Sequence, residues 1–259
     1  MPQDNVAQED IQHRIDIDRS ARFPVLFFIT SAAVWLAVAV VLGFVQQMKL
    51  HSPGFLDHPS LYFLNYGRSN PAFMGALVYG WAIQAGIGVC IWLMARLCSA
   101  EVKNPITLIV AGHFWNLGVL IGVLGILTGH GTSIEWLAFP KAVWPILCGA
   151  FSLIVIWLIT MFHRRQDKEV YISVWYILGA CFWFPWIFIT TNLFIHIFPG
   201  SAVAKAATNA WFMGSMIYLV FAPIGLASAY YIIPKIIGRP VHSAQLGYYG
   251  FWGLAVFGG

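Results

Sequence analysis

Apolar residues in this chain neither alternate nor recur at the spacing of a half-buried soluble helix. They run in long blocks separated by short polar stretches. Six blocks, roughly 24–48, 72–97, 105–128, 142–162, 170–198 and 209–233, each supply the about 20 mostly apolar residues that carry an α-helix across a hydrocarbon core. A seventh run begins near Ser243 and reaches Gly259; at about 25 Å of helix it falls slightly short of a core about 30 Å thick. The pattern predicts an all-α polytopic transmembrane bundle with six full spans and an incomplete seventh. Residues 1–23, with Asp4, Glu9, Asp10, Asp16 and Asp18, read as a polar N-terminal arm with no apolar centre of a cleavable leader. Residues 24–259 read as one transmembrane helical domain.

Composition sharpens this picture. Hydrophobic residues make up 59% of the chain and charged residues 9%, with a mean hydropathy of +0.75, against about 25% charged residues in a soluble domain. A net charge of +4, scattered between apolar runs, excludes nucleic acid as a partner and leaves the lipid bilayer. On alternate sides of the spans, Arg14, Arg19, Arg22, Arg96, Lys103, Arg164, Arg165, Lys168, Lys235 and Arg239 face Lys49, Arg68, Lys141 and Lys205. The bias predicts a cytoplasmic N-terminus. Trp136, Trp144 and Tyr62 fall where interfacial anchors are expected. The cysteines, Cys90, Cys98, Cys148 and Cys181, show no C-x-x-C spacing, which points to packing rather than haem attachment, zinc or disulfides.

The chemistry available at membrane depth is narrow. Every acidic residue lies outside the six spans, which weighs against proton pumps, ion-coupled transporters and voltage sensors. Neutral polar groups, Gln84, Asn116, Thr190, Thr191 and Asn192, keep a transporter open. Of the histidines, His113 and His196 alone fall within apolar runs and are the cofactor-binding candidates. They lie at different depths and lack a second histidine at i+4, so they assemble neither a bis-histidine haem site nor a metal triad, and each also reads as a hydrogen-bonded structural residue. No catalytic residue and no metal ligand is expected from the pattern. Pro185 and Pro223 bend their helices. The third span carries Gly112, Gly118, Gly122 and Gly125, a small-residue face expected to admit close helix approach; either this face or the C-terminal side is expected to dock partner subunits.

Two passages resemble subunit I of the haem-copper oxidases, most closely the C-family (cbb-type) cytochrome c oxidases and the nitric oxide reductase large subunit. The first is Gly67-Arg68-Ser69-Asn70-Pro71-Ala72-Phe73-Met74-Gly75, continuing to Tyr79-Gly80-Trp81. It is similar to the family's G-R-x-R-P-x-H-T-N opening of the second helix, whose histidine is an axial haem ligand. The second is Ala210-Trp211-Phe212-Met213-Gly214-Ser215, with Tyr230-Tyr231-Ile232-Ile233-Pro234-Lys235 and Gly238-Arg239-Pro240 after it. It resembles the sixth helix, W-W/F-Y-x-H-N with a Y-Y-F-x-P-K exit, whose histidine binds copper. Phe114-Trp115-Asn116 and Glu135-Trp136-Leu137 extend the match, which covers about residues 25 to 259.

The resemblance departs where the family's chemistry lies. Phe73 stands at the haem-ligand position and Gly214 at the copper-ligand position, and neither side chain has a lone pair to give a metal. The family's remaining ligands lie on later helices, so the match covers the N-terminal half of subunit I. The resemblance therefore implies a non-catalytic, subunit-I-like component of a respiratory or other electron-transfer complex. That component is expected in a bacterial cytoplasmic (inner) membrane, among other membrane subunits of a hetero-oligomer, with no haem or copper bound at the family's positions. The alternatives are an active oxidase or reductase whose haem is held by residues outside this chain or by partners, and a transporter or quinone-binding protein.

Overall fold

The computed structural model describes residues 2–166 and 169–258; Lys168 of the charge count and Gly259 of the seventh run lie outside the described residues. Helix α1 spans Pro2–His51, followed by a 3-10 turn at Pro59–Leu64, α2 Tyr66–Gly75, α3 Ile83–Leu97, α4 Pro105–Leu127, α5 Val143–His163, α6 Ile172–His196, α7 Ala202–Ser215, α8 Ala222–Ile237 and α9 Ala244–Phe257. Two π-helical turns, Ala76–Ala82 and Met216–Phe221, join α2 to α3 and α7 to α8, so each pair forms one membrane-length rod. Six helical stretches are long and apolar enough to span, Ile11–His51, Tyr66–Leu97, Pro105–Leu127, Val143–His163, Ile172–His196 and Ala202–Ile237, and α9 occupies the seventh run. The chain is an integral membrane protein with an all-α bundle and no strand among the described residues.

Several helix starts are written in the sequence. Asn65 and Ser201 accept from the amides of Arg68 and Ala204 at 3.0 and 3.2 Å, Ser243 accepts from Leu246 at 3.4 Å, and Pro105 opens α4. Each device uses an amide that the first turn leaves unpaired, or dispenses with it. Residues 2–23, read as a polar arm, are helical and continuous with the first span. Apolar periodicity does not register that continuity, because a polar helical extension has no lipid-facing stripe.

Contacts at the span ends fix which ends lie together. Arg96, in the last turn of α3, grips Asp18 of α1 with two hydrogen bonds at 2.8 and 2.6 Å and donates to the Tyr231 hydroxyl near the end of α8. Just beyond α5, the Gln166 amide donates to the carbonyl of Cys98, past α3, at 3.1 Å. Trp157, near the end of α5, reaches the carbonyl of Lys103, just before α4, at 3.1 Å. At the opposite end Arg68 donates to Leu127 at the close of α4, at 3.1 Å. Thus Arg96, Lys103, Arg164, Arg165 and Lys235 share one end of the bundle.

The glycines of the third span correct one expectation. A Cβ built on Gly112 would collide with Phe27 of α1, on Gly118 would lie 2.8 Å from Leu147 of α5, on Gly122 would lie 2.5 Å from Phe139, and on Gly125 would collide with Pro140. The face expected to dock a partner is thus occupied inside the chain, by α1, α5 and the loop before α5. Close approach is what small residues supply in lipid, where dispersion contacts rather than water exclusion hold helices together. At the C-terminal side, Trp183 of α6 stacks on Phe251 of α9, ring centroids 5.4 Å apart.

Replacing Gly118 or Gly122 with leucine is therefore expected to destabilise the isolated chain by about 1–3 kcal/mol each through overpacking. Thermal unfolding in detergent reports it. An unchanged midpoint with loss of a bound partner instead would return these glycines to an interface.

Candidate functional site

Several polar groups of the bundle interior, among them Gln84, Asn116 and the Trp115 indole, meet at the first π turn of the second span. A π turn lengthens the hydrogen-bond register by one residue and rotates the helix beyond it, and such turns mark functional sites more often than straight helix does. Its loosened carbonyls take side-chain donors here. Tyr79 O accepts from Trp115 Nε1 of α4 at 2.9 Å, and Gly80 O accepts from Gln84 Nε2 at 2.8 Å. The Tyr79 hydroxyl donates at 2.7 Å to the carbonyl of Trp136, a loop residue in the left-handed region at φ 62°.

Asn116 ties this turn to α1 and α4. Its Oδ1 accepts from Trp35 Nε1 at 2.8 Å and from Gln84 Nε2 at 3.1 Å, and its Nδ2 donates to Gly112 O at 3.0 Å and Ser31 Oγ at 3.3 Å. Gln84 is fully buried, and because both its neighbours are acceptors, only its NH2 edge can face them. That leaves Gln84 Oε1 buried with no partner among the described residues. The network was half legible in the sequence: Gln84 and Asn116 stand out as polar residues at membrane depth, each four residues after a glycine whose carbonyl it binds. Trp35, the donor from α1, carried no signal.

The other candidates lie apart. His113 is exposed on α4, hydrogen-bonded to Ile109 O at 2.8 Å and tilted against Phe27 with centroids 4.9 Å apart. His196 is half-buried at the end of α6, with Lys141 and Lys205 as its charged neighbours. Thr191 and Asn192 are buried on α6, where Asn192 Nδ2 donates to Phe188 O at 2.8 Å, and Thr190 is half-buried beside them. The space between Tyr79, Phe139, Trp144 and Asn192 amounts to about 10 Å³, at the lower limit for one water, so this part of the interior has no room for a substrate.

Phe73 and Gly214 sit just before the two π turns. Phe73, half-buried on α2, fills a notch on α1, where a Cβ on Gly43 would lie 3.1 Å from its ring. A Cβ on Gly214 would meet nothing within 4 Å. No cluster of three or more His, Cys, Asp or Glu able to hold a metal occurs among the described residues. Judged by donor atoms, the residues at these two positions do not fit the metal-ligand role that the resemblance assigns there.

The family model described as "Cytochrome C and Quinol oxidase polypeptide I" matches residues 23–259. The chain belongs to that family, the subunit I family of the haem-copper oxidases. This subunit I chain is 24% identical over 248 residues to a "Cytochrome c oxidase subunit 1 homolog" of Agrobacterium tumefaciens (strain T37), a match covering 89% of the chain and 44% of the relative. It is 22% identical over 238 residues to "Cytochrome c oxidase subunit 1" of Rhodobacter capsulatus, covering 87% of the chain and 44% of that relative. The subunit I chain thus spans less than half the length of the curated relatives it matches.

The two glycine environments near the π turns predict opposite outcomes. Gly80→Ala places a methyl 2.7 Å from the Trp35 side chain and is expected to lower stability by about 1–3 kcal/mol. Gly214→Ala meets open space and is expected to be neutral or to gain about 0.5–1 kcal/mol from helix propensity. Paired unfolding measurements in one detergent decide it; equal losses at both sites would contradict the packing described.

Proposed function

We propose that this chain is a non-catalytic, subunit-I-like component of a respiratory or other electron-transfer complex in a bacterial cytoplasmic membrane. Its basic end faces the cytoplasm, by the positive-inside rule, and lipid and other membrane subunits surround it. One observation carries the reading. At the position that the resemblance pairs with a haem ligand, a phenylalanine ring packs against α1 at Gly43, and at the position paired with a copper ligand, Gly214 offers no side chain. The chain keeps the family's bundle and offers a packed ring at the first of these points and open space at the second, in place of donor atoms.

A second reading has its own motive, the 44% coverage of the relatives. An active oxidase or reductase would then hold its haem through residues outside this chain, with this half acting as scaffold. His113 and His196 remain the imidazoles within the spans that a cofactor could recruit, one lipid-facing and one at a helix end.

Metal analysis and a reduced-minus-oxidised spectrum of the purified chain test the first reading, and the same spectrum of the complex purified from native membranes separates it from the second. The expected result is neither six-coordinate haem nor copper in stoichiometric amount. Stoichiometric haem or copper on this chain would overturn the proposal, and loss of that signal in His113→Ala or His196→Ala would locate the ligand.

A further inference from the structure

At the end of the bundle where α1, α3, α8 and α9 meet lies an open cleft of about 1040 Å³, above the usual range of about 300–1,000 Å³ for small-molecule pockets. Its charged lining is Arg14, Arg96, Lys235 and Arg239 against Asp18 and Glu169, an excess of two positive charges. Asp18 is already held by Arg96, whereas Lys235 and Arg239 form no ion pair among the described residues. Lys235 Nζ donates to the Tyr231 hydroxyl at 3.2 Å. The left-handed Gly238, at φ 68°, ends α8 and turns Arg239 back so that its amide reaches Pro234 O at 3.2 Å. Two cations without an acidic partner among the described residues thus stand on one rim.

The rest of the wall is mixed, with His13, Ser99 and Ser173 beside apolar and aromatic side chains. Ile17, Ile172 and Tyr248 line the cleft, and on the neighbouring face of α8 Ile233, Ile236 and Ile237 are exposed. A soluble anion would use the cations and leave this surface idle. A lipid uses both, since basic pockets between helices at a membrane surface attract anionic headgroups while apolar walls receive chains.

We propose that this cleft is a binding site for an anionic phospholipid, its phosphodiester held by Lys235 and Arg239 and its acyl chains lying against Tyr248 and the exposed isoleucine face of α8. The site goes beyond general bilayer contact and is independent of whether the chain is catalytic.

Native mass spectrometry of the full chain in detergent, titrated with phosphatidylglycerol, phosphatidylcholine or inorganic phosphate, tests the assignment. Phosphatidylglycerol is expected to bind more tightly than phosphatidylcholine. The Lys235→Gln/Arg239→Gln variant is expected to lose roughly thirtyfold in affinity, about fivefold for each cation near a membrane surface. Lys235→Arg/Arg239→Lys should restore binding, and Lys141→Gln/Lys205→Gln, the same charge change at the opposite end, should leave it intact. Circular dichroism and monodispersity confirm that each variant is folded. Equal binding of phosphatidylcholine, equal loss from the opposite-end variant, or displacement of lipid by equimolar inorganic phosphate would overturn the proposal, the last by reassigning the cleft to a soluble anion. Failure of the double variant to fold would move the test to Arg239→Gln alone, for which about a fivefold loss is expected and no loss contradicts the site.

Discussion

Inside a membrane, a backbone carbonyl released from its helical partner has no water to turn to, so any bend in a span must come with its own donors. That constraint governs the centre of this bundle. The π turn at Ala76–Ala82 would be costly in lipid, yet Trp115 and Gln84 take the carbonyls of Tyr79 and Gly80. Gln84 is positioned by Asn116, and Asn116 is positioned by Trp35 and Ser31 of α1. Three spans are thereby committed to one another at a single depth. The glycines around the junction follow from it: Gly80 lies against Trp35 and Gly112 against Phe27, because those backbones must approach closely for the hydrogen bonds to close.

Much of the fold was legible because lipid solvation imposes long apolar blocks, and the ends of α4, α5 and α6 fall within two residues of the blocks that predict them. The additional length of α1 was not legible, since a polar helix protruding from a membrane has no stripe to detect. The π turns were also hidden. They contain ordinary apolar residues, and one of the donors at the first, Trp115, comes from another helix 36 residues away. The glycine-rich face of α4 was visible, but its covering was misread, because Phe139 and Pro140 come from a loop whose path no helical periodicity encodes. At the candidate site, Gln84 and Asn116 announced themselves by polarity, whereas their meeting did not, being a matter of helix rotation.

The position of the π turns bears on descent. Each begins two or three residues after Phe73 or Gly214, the points where the family resemblance and the family chemistry part. The bends that would aim ligand side chains stand beside residues whose side chains cannot ligate, and the first of them is held by Trp115, Gln84 and Asn116. A second polar group gathers at the basic end, where Arg96 spans from Asp18 to Tyr231 and α8 presents Lys235 and Arg239 at the mouth of a half-apolar cleft. The same end thus closes α1 onto α3 and α8 and faces the membrane surface.

Asn116 and Trp35 act as one unit in holding α1 to α4 and the bent second span. A double-mutant cycle with Trp35→Phe, Asn116→Leu and the combined variant, read from reversible unfolding in bicelles, measures this directly. A coupling of about 0.6–1.7 kcal/mol is expected, the range from the mean to the upper limit for hydrogen bonds between membrane helices. Strict additivity of the two substitutions would contradict it.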